Sequence, residues 1–225
     1  REAGSKDPQE EVVTGYAHYL SFLKSSRPDP TAGPVAFTEW SISVLKAYTR
    51  FQILCAVREG DWGVKEINER IEGLLSKSGH IERHRWYEGR PVMMTRNDYE
   101  LGIMNGDVGI TLALPDPERN TTVLKVAFRL SDDAIKFILP SRLNDAETVY
   151  AMTIHKSQGS EFEHVALLLP SRQESPIMTR ELIYTGVTRA KKQLTIVSPN
   201  LHDLAQCVSH QIKRSGRLSE LLGLG

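Results

Sequence analysis

Hydrophobic and polar positions along the chain change period several times, and each change marks an element. From Gln9 to Ser25, Val12, Tyr16, Tyr19, Leu20 and Leu23 recur at three- and four-residue spacing, which predicts a helix with one apolar face. Asp7-Pro8 supplies its start signal. Arg27-Pro28-Asp29-Pro30 and Gly33-Pro34 then break regular structure. Helical spacing returns over Thr38 to Thr49, with Trp40, Val44, Leu45 and Tyr48 facing inward. Phe51 to Val57 is a short apolar run that reads as a buried strand. The loop Arg58 to Gly63 follows, then a helix carrying Val64, Ile67, Ile71, Leu74 and Leu75 on one face.

Beyond this βα unit the pattern shortens. Arg90 to Thr95 reads as another strand, and Asn97-Asp98-Tyr99 leaves its carboxyl end. Asn105-Gly106-Asp107 is a turn signal. Val108 to Leu114, Thr121 to Leu130 and Ala134 to Leu139 are three strands joined by the polar turns Pro115 to Asn120 and Ser131 to Asp133. Turns this tight cannot hold crossover helices, so these strands form a small antiparallel insertion. Leu143 to Thr148 is expected to return the chain to the main sheet.

A strand over Val149 to Ile154, a polar segment from His155 to Glu161 and a second strand over Val165 to Leu169 come next. Helical spacing covers Arg180 to Lys192, with Ile183, Val187, Ala190 and Leu194 on one side, and Leu194 to Val197 closes the unit as a strand. His202 to Leu222 is expected to be helical through Leu204, Val208, Ile212 and Leu218. Strands alternating with helices predict an α/β fold with a mostly parallel sheet. Such sheets present functional residues at the carboxyl ends of their strands, where His155 to Glu161 is expected to lie.

Composition changes this picture in few places. The 225 residues suffice for one large domain, or one domain with an insertion. Lysine plus arginine equals aspartate plus glutamate at 28 each, so net charge does not advertise a polyanion binder. Grooves for single-stranded DNA also use hydroxyls, backbone amides and stacking, so the balance does not exclude one. Cys55 and Cys207 cannot form a disulfide framework, which points to a reduced, cytoplasmic protein. No apolar run has the length of a membrane span and no signal peptide is visible. The chain starts with Arg1, as expected of a piece of something longer. There is no G-x-x-x-x-G-K-[ST] loop and no apolar strand ending in Asp-Glu, the parts that cradle phosphates and hold magnesium in an NTPase. The chain alone is therefore expected to be inactive.

Two stretches carry a resemblance. T-I-H-K-S-Q-G-S-E-F resembles motif V of superfamily 1 helicases, and E-L-I-Y-T-G-V-T-R-A resembles their motif VI. F-Q-I-L-C-A-V-R-E-G-D-W-G-V-K-E-I-N and R-P-V-M-M-T-R-N-D-Y-E-L-G-I-M-N-G-D-V-G extend the likeness, from about Phe51 onward, to helicases of the RecD type. The resemblance implies a RecA-like second motor domain over residues 51–106 and 144–225. It further implies an SH3-like module over 107–143, placed against single-stranded DNA, the competing reading being a decorative hairpin extension. The two helices before it read as a helical lead-in over 1–50, a join to a missing first motor domain. The resemblance also implies ATP-dependent 5′-to-3′ DNA unwinding in double-strand break repair and recombination, as in exodeoxyribonuclease V. ATP with Mg2+ would be held mainly by a first motor domain, with RecB- and RecC-like subunits as partners. A stand-alone helicase and a catalytically silent subunit-binding domain remain the rivals.

Candidate residues follow. Arg189 sits near the end of the expected Arg180 to Lys192 helix, in line with Thr185 and Glu181. A planar, permanently charged guanidinium suits the charge on a transferring phosphoryl group, and the resemblance makes Arg189 the motif VI arginine. The competing role is a helix-end cation balancing the macrodipole. Arg180 and Tyr184 match the same motif on the nucleotide side, and Arg180 also reads as a surface arginine. The resemblance turns Gly159 and Glu161 toward the nucleotide, Glu161 otherwise being a surface acid. It places the Arg58 loop, with Trp62, near the base, against an ordinary βα loop. Thr153, His155, Lys156 and Ser157 cluster phosphate-contacting groups, and with Gln158 and Asn97 they are assigned to single-stranded DNA, the nucleotide being the alternative ligand for Gln158. No metal site is expected, and no acid or oxyanion site supports a Ser-His catalytic pair. Lys213, Arg214 and Arg217 form a basic cluster that reads as a solvated face or, less simply, a DNA or subunit contact.

Overall fold

The computed structural model describes residues 8–130, 134–170 and 179–199, so the expected His202 to Leu222 helix, with Cys207 and the basic cluster, lies outside the described residues. In chain order the elements are α1 (Pro8–Ser25), α2 (Gly33–Tyr48), β1 (Phe51–Cys55), α3 (Val64–Lys77), β2 (Pro91–Met94), β3 (Val108–Asp116), β4 (Thr121–Arg129) and β5 (Ile135–Ile138). They continue with β6 (Ala146–Thr148), β7 (Ala151–Thr153), β8 (Phe162–Leu168), α4 (Arg180–Val187) and β9 (Ala190–Val197).

β1 is buried along its whole length, the polar Gln52 included, as a strand covered on both faces must be. It pairs in parallel with β7 on one side and β8 on the other, and β8 pairs in parallel with β9, giving the order β7-β1-β8-β9. α1 packs on β1, α2 and α3, while α4 packs on β8 and β9. Gly186 lets α4 approach closely, because a Cβ there would stand 2.8 Å from Leu167 Cδ1. The α/β class expected from the sequence, a parallel sheet with a separate antiparallel module, is the fold observed.

The second sheet is antiparallel in the order β5-β4-β3-β2-β6 and encloses its own core of Val92, Met94, Leu101, Ile103, Val126, Phe128, Ile138 and Leu143. This corrects the expectation for two segments. Arg90 to Thr95 and Leu143 to Thr148 do not join the main sheet: Val92 pairs with Gly109 on one side and Thr148 on the other. α2 packs on β3, β4 and β5, so it is built into this body, while α1 lies between α2 and the parallel sheet. Gly33-Pro34, expected to break structure, instead starts α2, where a proline has no N–H to satisfy.

The Val149 to Ile154 run is also not one strand. Val149 and Tyr150 carry the chain from the antiparallel to the parallel sheet, and side chains satisfy their backbone. The Tyr48 hydroxyl donates to the Val149 carbonyl, and the Tyr16 hydroxyl and Gln52 Nε2 donate to that of Tyr150, the latter at 2.8 Å. Asn68 caps Ala151 on the free edge of β7: its Oδ1 accepts from the Ala151 N–H at 2.9 Å and its Nδ2 donates to the carbonyl at 3.0 Å. Tyr19 reaches the Gly89 carbonyl, and the Tyr87 and Tyr150 hydroxyls lie 3.2 Å apart. Burial holds Tyr16, Tyr19, Tyr48, Tyr87 and Tyr150 protonated well above the ordinary tyrosine range.

Candidate functional site

α4 ends at Val187, and Ala190 already pairs with Phe162 in the sheet, so the expected helix over Arg180 to Lys192 is too long by its last turn. Arg189 therefore occupies the turn between helix and strand, at the amino edge of the parallel sheet. Its backbone carbonyl accepts from the Phe162 N–H at 2.9 Å. Its half-buried side chain donates from Nε to the Thr185 carbonyl at 3.1 Å, from Nη1 to the Ser160 carbonyl at 3.1 Å and from Nη2 to Thr188 Oγ1 at 3.2 Å. The remaining guanidinium N–H groups have no partner among the described residues. One arginine thus closes the last turn of α4 onto the segment that enters β8, and keeps donors for an anion.

That segment runs from one edge of the sheet to the other. Thr153 ends β7 at the carboxyl edge, His155 to Ser157 form a 3-10 turn, and Ser160 and Glu161 arrive at the amino edge before β8. The expectation that all of His155 to Glu161 sits at a carboxyl end holds only for its first half. Gly159 has φ +83 with nothing within 4 Å of a hypothetical Cβ, so its left-handed backbone, not close approach of a neighbour, explains the glycine. Ser157 is fully buried and its hydroxyl donates to the Ile154 carbonyl at 2.7 Å, which makes it a turn fastener rather than a surface contact. His155 and Gln158 are exposed, and their side chains have no partner among the described residues. Thr153 Oγ1 accepts from the Lys156 N–H at 3.2 Å, and Lys156 Nζ donates to Asn105 Oδ1 at 2.6 Å. Asn97 joins the same group, its Oδ1 accepting from the Asn105 N–H at 2.8 Å.

Glu161 pairs with Lys191 at 3.0 Å with both side chains more than half exposed, a contact worth little in stability. Ser160 and Glu161 also border a cavity of about 310 Å³ closed by Lys46 and Thr49 of α2's end and by Val108 and Arg129 of the module. Arg58 is elsewhere. It follows β1 at the carboxyl edge and pairs with Glu147 at 3.2 Å. From Phe162 beside Arg189 to Leu168 beside Cys55 is six residues of strand, roughly 20 Å at about 3.3 Å per residue. Arg58 and Arg189 therefore do not meet at one phosphate group. Arg180 and Tyr184 share an exposed face of α4 one turn apart, with Tyr184 70% exposed. Thr179 caps that helix, accepting from the Leu182 N–H at 3.2 Å. Burial pushes the Cys55 thiol up to about 12, so it is no nucleophile.

Sequence reasoning missed Asn105 as the partner of Lys156 and Ser160 as the acceptor for Arg189. No local pattern could have found either, since each contact joins segments far apart in the chain. Among the described residues no group of three His, Cys, Asp or Glu side chains could hold a metal ion, and no helix is long and apolar enough to cross a membrane.

Two family models match the chain: the UvrD-like helicase C-terminal domain over residues 148–197, and the ATP-dependent RecD-like DNA helicase SH3 domain over residues 67–128. The chain is 38% identical over 175 residues to the RecBCD enzyme subunit RecD of Mycobacterium tuberculosis, covering 77% of this chain and 29% of that protein. It is 32% identical over 217 residues to RecD of Haemophilus influenzae, covering 94% and 31%. The ATP-dependent RecD2 DNA helicase of Deinococcus radiodurans is 31% identical over 143 residues, covering 62% and 19%. A crystal structure of Pif1 helicase from Candida albicans overlays loosely, at 14% identity and a TM-score of 0.44 over 96% of this chain and 57% of that one. The chain spans under a third of the length of these curated relatives. By both matched domains and by its identity to RecD subunits, the chain belongs to the RecD-type helicases, in the part that carries their SH3 module and UvrD-like C-terminal domain.

Proposed function

We propose that this chain is the second motor domain of an ATP-dependent 5′-to-3′ DNA helicase, supplying one wall of an ATP cleft and one side of a single-stranded DNA track. The carrying observation is that Thr153 to Glu161 is tied at both ends. Arg189 holds its Ser160 end at 3.1 Å, and Lys156 ties its other end to Asn105 of the module at 2.6 Å. A change in what Arg189 touches is thereby transmitted through one short segment to the groups assigned to DNA.

ATP supplies the phosphoryl group to be transferred. On this side of the cleft Arg189 would donate to it, Glu161 and Gly159 would border it, and Arg180 and Tyr184 would lie along the same helix. The spare guanidinium N–H groups of Arg189 suit an anion, and Mg2+ is assigned to a phosphate-loop domain. On the DNA side His155, Lys156, Gln158 and Thr153 offer phosphate-contacting groups that read no base sequence, with Asn97 holding Asn105 beside them. The RecBCD names of the relatives support action beside RecB- and RecC-like subunits, and our reading extends this to an exodeoxyribonuclease V component in cytoplasmic double-strand break repair and recombination. The alternative of a helicase without those partners is kept beside it, since the name of the RecD2 relative, an ATP-dependent DNA helicase, mentions no RecBCD enzyme. Co-purification with RecB- and RecC-like chains separates the two.

Steady-state phosphate release tests the motor role. The chain alone should turn over ATP no faster than buffer, and joined to a phosphate-loop domain it should show turnover stimulated by single-stranded DNA. DNA-stimulated turnover by the chain alone, surviving repurification, would overturn the assignment.

A further inference from the structure

The loop after β2 holds an aromatic ring in solvent. Tyr99 is 79% exposed, against 4% or less for the five tyrosines of the sheet crossing. Its loop is nonetheless firmly built. Asp98 and Ile103 exchange backbone hydrogen bonds at 2.8 and 3.0 Å, and Asp98 Oδ1 accepts from the Leu101 N–H at 2.9 Å. Lys136 Nζ donates to the Leu101 carbonyl, and Arg142 pairs with Glu100 at 3.0 Å. Asn97 Nδ2 donates to the Tyr99 hydroxyl at 3.1 Å, fixing the phenol at its tip. Asn97 Oδ1 accepts from the Asn105 N–H, and Asn105 Oδ1 accepts from Lys156. Three hydrogen bonds thus connect an exposed ring to the cation of the proposed DNA track.

We propose that Tyr99 is a stacking platform for a base of single-stranded DNA whose phosphates pass Lys156. A ring that is already oriented loses little freedom on binding, and each base offers a π-face, so such a platform binds without reading sequence. Asn97, assigned from sequence to DNA, instead positions the ring and leaves its face open. The inference rests on the DNA-track reading of Lys156 but concerns a different chemistry, apolar rather than ionic, so the two fail separately.

The test uses the complete protein and oligothymidylate carrying one 2-aminopurine, with affinity and fluorescence measured across a salt series. Tyr99→Ala should weaken binding between about fivefold and a hundredfold, abolish the fluorescence change and leave the salt slope as it was. Tyr99→Phe should keep affinity within about threefold and keep the fluorescence change, because the ring is retained. Lys156→Ala should lower the salt slope and keep the fluorescence change. Wild-type affinity and fluorescence in Tyr99→Ala would overturn the stacking role even with the Lys156 result intact. Equal damage in Tyr99→Phe and Tyr99→Ala would overturn it too, since the hydroxyl rather than the ring face would then matter. A lowered slope failing to appear in Lys156→Ala, with the Tyr99 effects present, would overturn the phosphate track alone. Absence of any DNA binding by the unaltered protein would overturn both.

Discussion

Arg189 and Ser160 are 29 positions apart in the chain, yet Nη1 of the arginine donates to the Ser160 carbonyl at 3.1 Å. The same guanidinium takes the Thr185 carbonyl in the last turn of α4. A cation at a helix C-terminus is favourable by itself, and here it also clasps the entry to β8. The helix-end role suggested by the sequence is seen in these bonds, and the guanidinium N–H groups left over are the ones we propose for an anion.

Lys156 and His155 stand at the other end of the clasped segment. Replacing both with alanine should weaken binding to single-stranded DNA about equally for all base sequences. The salt slope should fall by roughly 0.7 for each phosphate that is no longer neutralised. Titrations at several salt concentrations with two unrelated oligonucleotides measure this. An unchanged slope, or a weakening confined to one sequence, would remove these residues from the track.

Asn68 supports the strand that delivers that segment. Asn68→Ala leaves the N–H and carbonyl of Ala151 without their side-chain partner on the free edge of β7. The expected loss is about 1–3 kcal/mol in urea unfolding with the m-value unchanged, because buried backbone groups are costly to leave unmade. A loss below about 0.5 kcal/mol would mean that water replaces the amide freely.

The buried tyrosines set an alkaline limit on stability. Tyr16, Tyr19, Tyr48, Tyr87 and Tyr150 are pushed up in the folded protein from a value near 10.0, chiefly by burial. Above pH 10 the unfolded chain binds fewer protons than the folded one, so stability is intact below that pH and falls as pH rises through it. The limiting slope is about 1.4 kcal/mol per pH unit for each tyrosine. Absorbance at 295 nm should show these five ionising together with the loss of far-ultraviolet ellipticity. Their ionisation while the fold persists would contradict the packing of the crossing.

How much of this was legible in sequence depended on how local each feature is. β1, α3 and the three strands β3 to β5 announce themselves through period and turn chemistry within a few residues. The sheet change at Val149 and Tyr150 does not, because an apolar run is the same whichever sheet it joins. What divides it are Tyr16, Tyr48, Gln52 and Asn68, between 83 and 134 positions away. Likewise Pro91–Met94 looks like any buried strand until its pairing with Val108 to Ile110 is seen. Ala190 and Leu194 kept helical spacing by coincidence while belonging to β9. In the site, Arg189, Gly159, Thr153 and Lys156 were visible as residues, whereas the acceptors that position Arg189 and Lys156 were not.

The most direct test of the account is ATP turnover and melting temperature for Arg189→Ala and Arg189→Lys in a protein that also carries the phosphate loop. Losing the bonds to Thr185, Ser160 and Thr188 should cost roughly 1–3 kcal/mol of stability, visible as a modest fall in melting temperature. Loss of transition-state charge stabilisation should lower kcat by about 10³- to 10⁵-fold with affinity for single-stranded DNA nearly unchanged. Lysine should rescue little, because a single ammonium cannot span the two carbonyls and still donate to a phosphoryl oxygen. A destabilised protein whose kcat stays within about tenfold of the unaltered enzyme would contradict the account and leave Arg189 as a helix clasp only.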